Sequence, residues 1–150
     1  MKLYLIQHGK ALPEEKDSKR SLSPEGVTET QKIADFLKTK NIKFGEIWHS
    51  KKTRAVQTAG IISKALSIKN MLRRDDLNPD EPVEKFPDEI KNLNKDLMIA
   101  GHLPFLQRLA SLLLTGSETD SPVSFKNSGL VCLEFQQEWK ILWYVIPELL

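Results

Sequence analysis

Three short polar clusters hold the residues best suited to chemistry: Gln7-His8-Gly9, the run from Ser50 to Arg54, and Gly101-His102. An imidazole can act as a nucleophile or carry a proton near neutral pH. A guanidinium offers a planar fork that fits phosphate oxygens. Arg54 supplies one such fork, and Arg20, in a polar loop, could close over the same site. Two histidines and two arginines converging on an anion would suit phosphoryl transfer. An arginine directly before the first histidine would suit it further, but that position holds Gln7, whose amide donates without carrying charge. Gly9 would let a ligand approach the backbone closely.

These clusters can work together only if the fold brings them together, and the hydrophobic pattern says how. Leu3 to Ile6 reads as a short buried strand ending at the first cluster. After a polar loop from Pro13, Ser23-Pro24-Glu25 reads as an N-cap, an N1 proline and an acidic first turn. The helix that follows should bury Val27, Ile33, Ala34 and Leu37. Ile47-Trp48 lies in a second strand. Ser50 can cap the next helix, whose stripe is Ala55, Ala59, Ile62 and Leu66. The acidic stretch from Asp75 to Asp96 carries Pro79, Pro82 and Pro87 and contains a short helix starting near Pro87 and running through Leu93.

Leu97 to Ala100 is a further buried strand, ending at Gly101-His102. Pro104 opens a helix with Phe105, Leu106, Leu109, Leu112 and Leu113, and Gly116 can end it. Leu130 to Phe135 and Trp139 to Ile146 read as a hairpin, apolar on both faces and so covered on both sides. Helices separating buried strands predict a single α/β domain over residues 1–150. The expected architecture is a three-layer αβα sandwich with a mostly parallel central sheet and an antiparallel C-terminal hairpin at its edge. All three polar clusters then fall at carboxyl ends of strands, the edge where open α/β sheets bind ligands. Helix N-termini there add positive dipole ends that favour an anion.

Composition narrows the function classes. The net charge of +2, from 22 Lys+Arg against 20 Asp+Glu, gives no electrostatic basis for binding nucleic acid. The single cysteine, Cys132, excludes an internal disulfide and favours a reducing compartment. No apolar run approaches the ~20 residues of a membrane span, and the N-terminal one is shorter than a signal-peptide core of ~7 or more. A cytoplasmic domain without membrane contact is expected. A zinc site from His8, His49 and His102 would lack a closely spaced histidine pair and would sit among arginines, so no metal and no cofactor are expected.

The segments "LIQHGKA", "RSLSPEG", "HSKKTRAVQTA" and "IAGHLPFL", in this order, resemble the histidine phosphatase superfamily, also called phosphoglycerate-mutase-like. The short chain and "RSLSPEG" look most like its small SixA-type phosphohistidine phosphatases. The resemblance runs from Met1 through the final hairpin, and the chain departs from the family pattern Arg-His-Gly at Gln7. It implies that His8 is the nucleophile that takes up the phosphoryl group. It also implies that Arg54, Arg20 and His102 hold the phosphate, with Gln7 and Gly9 beside it. The implied substrate is a phosphohistidine-containing protein of a phosphorelay or phosphotransfer system.

Two alternatives stand beside that reading. One is a catalytically weak module that binds phosphate or a phosphoprotein, because Gln7 replaces the arginine. The other is a small-molecule phosphatase or mutase of the wider superfamily, which the short chain disfavours. An alcohol leaving group needs a proton, usually from Asp or Glu. Asp80, Glu81 and Glu84 are the available acids, and they read better as solvated loop charges. Imidazole leaves more easily, which favours a phosphoramidate. His49 reads as structural, Lys51 and Lys52 as solvated charges, and Trp139 and Trp143 as core or edge aromatics.

Overall fold

The computed structural model describes residues 1–150. Its strands are β1 (Lys2–Gln7), β2 (Glu46–His49), β3 (Asn70–Arg73), β4 (Leu97–Gly101), β5 (Leu130–Phe135) and β6 (Trp139–Val145). The helices are α1 (Pro24–Thr39), α2 (Thr53–Leu66), α3 (Phe86–Leu93) and α4 (Phe105–Thr115). The six strands form one sheet in the order β3-β2-β4-β1-β5-β6. The pairings β2 with β3, β2 with β4, and β1 with β4 are parallel, and the β5–β6 hairpin joins β1 antiparallel at the far edge.

Alternation along the central strands divides the core between the two sheet faces. Leu3, Leu5, Leu97 and Ile99 pack with Phe86, Ile90, Phe105 and Leu109 of α3 and α4. Tyr4, Ile6, Met98 and Ala100 pack with Ile33, Leu37, Ala59 and Ile62 of α1 and α2. That is the three-layer αβα sandwich with its hairpin edge. Ser23 caps α1 as expected, its side chain accepting the Gly26 N–H at 3.0 Å, with Pro24 at N1. Gly116, at φ 80°, ends α4. No helix is long and apolar enough to cross a membrane.

Several expectations need correcting. Val27 is 44% exposed, because α1 turns its Gly26, Glu29, Thr30, Ile33, Ala34 and Leu37 side inward. Ser50 does not cap α2: the N-cap position is Lys52, without a side-chain bond, and the serine hydroxyl goes elsewhere. The hairpin is not covered on both sides. β6 is the outer strand, and a register shift beside Cys132 pairs that residue with Trp143 and Leu133 with Ile141. Leu142 is the extra residue of this bulge, and Ile141 and Leu142 are both exposed. Strand β3 has no β-forming pattern and is an exposed edge strand held by pairing with β2 alone.

The acidic middle segment is anchored rather than loose. Leu77, Val83, Phe86 and Ile90 are fully buried in one core. Arg74 bonds both Asp76 and Glu89 and lies over the rings of Trp48 and Phe86, at 4.5 and 5.0 Å from their centroids. Register does the rest for the site. Gln7 pairs with Gly101 and His49 with Ala100, so His8, Ser50 and His102 all leave the sheet at one edge.

Candidate functional site

The backbone around His8 is held from every side. Its N–H donates to the Gly101 carbonyl at 2.9 Å, continuing the β1–β4 ladder one step past the strand. Its own carbonyl accepts from Asn127 Nδ2 at 3.0 Å and from the Ser128 N–H at 3.3 Å. The Gly9 N–H donates to Thr58 Oγ1 at 3.0 Å, and Thr58 Oγ1 donates to the Arg54 carbonyl at 2.8 Å. One threonine therefore ties the His8 loop to the first turn of α2. The closeness that Gly9 permits is to α1. A Cβ there would lie 2.7 Å from Thr30 Oγ1 and 3.0 Å from the Gly26 carbonyl oxygen. Gly9 is buried with its N–H already committed, so packing accounts for it without a ligand.

The His8 ring is fixed at both nitrogens. Nδ1 lies 2.7 Å from the Gly9 carbonyl oxygen, which can only accept, so Nδ1 carries the proton. Nε2 then holds the lone pair, and it receives the Arg54 Nε–H at 3.3 Å. Burial is the main force that lowers the His8 pKa, to about 4, and the Arg54 and Arg20 charges lower it further. The Gly9 bond acts in the opposite direction. The balance leaves a neutral imidazole with a basic, oriented Nε2 at neutral pH.

His102 lies beside it, the two ring centroids 5.0 Å apart. Its Nε2 is 2.5 Å from the hydroxyl of fully buried Ser50, which also accepts the Lys52 N–H at 3.3 Å. The only acceptor the hydroxyl proton reaches is Nε2, so His102 carries its own proton on Nδ1. That nitrogen is buried and has no partner. Burial, followed by the neighbouring His8, Arg54 and Lys52, lowers the His102 pKa to about 3. A neutral ring with an unused N–H is a donor for an incoming oxygen.

Arg54 is itself perturbed. Burial and then the Arg20 charge lower its pKa. Arg20 sits in the left-handed region at φ 51°, and its Nε donates to the Leu12 carbonyl at 3.3 Å. It lines a polar mouth that also includes Arg54. Gln7 ends β1 with its Oε1 buried and unpaired. His49 stays apart, buried with Nδ1 on the Ser50 carbonyl at 2.9 Å. Asp80 and Glu84 are exposed, and no carboxylate bonds His8, His102, Arg54 or Arg20. No group of three or more His, Cys, Asp or Glu side chains could hold a metal ion.

Sequence reasoning missed Ser50 as the partner of His102, along with Thr58, Thr30, Asn127 and Ser128. Thr58 lies one helical turn after Arg54, on the same helix face, a spacing that could have flagged it. Asn127-Ser128-Gly129 is a run of turn formers directly before a strand, which could have flagged that segment.

Residues 3–78 match the family model for the histidine phosphatase superfamily (branch 1). Among solved structures, the protein histidine phosphatase SixA complexed with tungstate superposes with a TM-score of 0.86 at 22% identity, covering 98% of this chain and 97% of that one. A phosphoserine phosphatase mutant of Entamoeba histolytica, bound to phosphoserine, gives 0.71 at 17% identity, covering 95% of each chain. The alpha-ribazole phosphatase of Shigella flexneri gives 0.76 at 15% identity, covering 94% of each. No protein of curated function matches the chain by sequence.

Keeping two rings neutral has a consequence for stability. In the unfolded chain both histidines protonate near pH 6.5. In the fold they resist protonation down to about pH 4 and 3. As pH falls below 6.5 the unfolded state binds protons that the folded state refuses, so stability declines toward acid. Thermal melts should therefore show Tm falling between pH 7 and pH 5, and falling less in His102→Asn. An equal fall in parent and variant would contradict the neutral assignment.

Proposed function

This chain belongs to the histidine phosphatase superfamily (branch 1), and from that premise we propose that it hydrolyses phosphohistidine on a protein substrate. The observation that carries this reading is a neutral His8 whose Nε2 is unprotonated and accepts from Arg54, with the unpaired His102 Nδ1 nearby, in a site bonded to no carboxylate. Similarity over nearly the whole chain to a protein histidine phosphatase supports it.

In the proposed reaction His8 Nε2 attacks phosphorus, forming an N–P bond as the substrate's N–P bond breaks. The substrate imidazole leaves as the neutral ring, carrying the proton it held on entry. Water then attacks the phosphoryl group on His8, releasing inorganic phosphate and returning the lone pair to Nε2. Arg54 moves its N–H from Nε2 to an equatorial oxygen, Arg20 takes a second oxygen, and His102 Nδ1–H a third. Positioning and charge neutralisation supply the rate. An alcohol would depart less easily here, since no acid is bonded within the site to protonate it.

If His8 is the nucleophile, a phosphoenzyme stable to base and labile to acid forms on brief exposure to a phosphohistidine peptide. His8→Ala should neither trap phosphate nor turn over, with its circular dichroism unchanged. Parent-like turnover in His8→Ala would remove the residue from its role.

The second reading, a weak enzyme or a phosphate-binding module, is favoured by Gln7 alone. A hydrogen bond from a charged donor contributes roughly 1.5–3 kcal/mol and one from a neutral donor roughly 0.5–1.5. Replacing a family arginine by glutamine then forfeits on the order of 1–2 kcal/mol, or about 5- to 30-fold in rate. Gln7→Arg should raise kcat/KM about tenfold, more on an aryl phosphate than on a phosphohistidine peptide. Loss of activity in Gln7→Arg would mean that the site is built around glutamine. Phosphate binding without turnover in both proteins would establish the binding module.

A further inference from the structure

Several basic residues are paired with acids and others are not. Lys10, Arg74, Lys85, Lys95 and Arg108 all sit within ion-pair distance of carboxylates. Lys19, Arg20, Lys51 and Lys52 have no such partner, and they come together with Arg54 in one concave, wholly polar mouth. A single exposed lysine without a partner is ordinary. Four cations from two separate loops, converging beside a half-buried arginine, are not, because like charges at a shared surface repel unless an anion joins them.

The loop that brings Lys19 and Arg20 there is built to hold them. Asp17, the acid nearest in sequence, spends its carboxylate on the backbone N–H groups of Lys19 and Ser21, both at 3.0 Å. It fixes the turn instead of neutralising the cations by a side-chain pair. The Arg20 N–H donates to the Asp17 carbonyl at 2.9 Å, which helps hold Arg20 at its positive φ. Lys51 and Lys52 immediately precede α2, two to three residues from Arg54. Glu14 is the one carboxylate lining the mouth.

We propose that this mouth, in which Lys19, Lys51 and Lys52 surround Arg20 and Arg54, docks an acidic stretch flanking the phosphohistidine of the protein substrate on those three lysines. The inference rests on the phosphohistidine reading and names the kind of protein that reading requires. No apolar side chain lines the mouth, so an aryl or alkyl ligand gains no burial there. A small second anion would engage one of the cations, whereas a peptide carrying several carboxylates can reach both loops. Attraction across an open surface speeds encounter and selects partners more than it tightens the complex. The preference should therefore be strongly salt-dependent.

The test compares two phosphohistidine peptides, one with acidic and one with neutral flanks, and uses p-nitrophenyl phosphate as the flank-free substrate. For the parent protein the acidic peptide should have the lower KM at low salt, and the difference should vanish near 0.5 M salt. Lys19→Gln/Lys51→Gln should raise KM for the acidic peptide about three- to tenfold, the scale of two lost exposed charge contacts. The same variant should leave kcat, the neutral peptide and p-nitrophenyl phosphate unchanged. Equal KM values for the two peptides on the parent protein would overturn the docking surface and leave the phosphohistidine reading intact. An equal loss on phosphoserine, which carries its own carboxylate, would overturn it in favour of a small-anion subsite. Should neither peptide be hydrolysed, the unphosphorylated acidic peptide is tested as a competitive inhibitor of p-nitrophenyl phosphate hydrolysis. Inhibition that the double variant weakens supports the surface while the phosphohistidine reading fails, and no inhibition overturns both.

Discussion

A 2.7 Å hydrogen bond from His8 Nδ1 to the Gly9 carbonyl leaves Nε2 as the basic atom of the ring, and the surrounding structure keeps it so. The loop that makes this bond cannot drift. The His8 N–H is on β4, its carbonyl is on the segment before β5, and the next N–H is on α2. Three elements distant in sequence thus converge on the backbone of His8 and Gly9. Parallel pairing of β1 with β4 then brings His102 to the same edge, where Ser50 orients it through Nε2. Each ring presents one defined nitrogen, and burial keeps both rings uncharged at neutral pH.

The charge pattern follows from the same arrangement. Where the chain needs rigidity it pairs its charges, as Arg74 does with Asp76 and Glu89 above Trp48 and Phe86. At the mouth beside Arg54 it leaves Lys19, Arg20, Lys51 and Lys52 without ion-pair partners. The Arg20 charge adds to burial in lowering the Arg54 pKa. The buried, unpaired Gln7 Oε1 and His102 Nδ1 belong to the same unfinished hydrogen-bonding. An acceptor and a donor are both held ready at the strand ends.

Much of this was legible in the chain. The apolar runs at Leu3 to Ile6 and Leu97 to Ala100 and the Ser23-Pro24 start signal predict the central strands and α1, and so the edge where the polar clusters meet. His8, Arg54 and His102, chosen by chemistry and resemblance, come together there. The rest depended on tertiary context. Ser50 satisfies a cap position by sequence, and only the arrival of His102 redirects its hydroxyl. Gly9 looks like room for a ligand until α1 is seen filling that space. Strand β3 has too little apolar pattern to be seen without its partner β2, and the openness of β6 follows from a bulge that periodicity cannot register.

The proposed role of His8 depends on one tautomer and its persistence in acid. Nitrogen-15 NMR of selectively labelled histidine, followed from pH 8 to pH 3.5, reads both directly. The expected His8 signal has the proton on Nδ1 and an unprotonated Nε2, is unchanged through pH 6.5 and titrates near pH 4. A proton on Nε2 at neutral pH, or a midpoint near 6.5, would contradict a neutral His8 poised to react at Nε2.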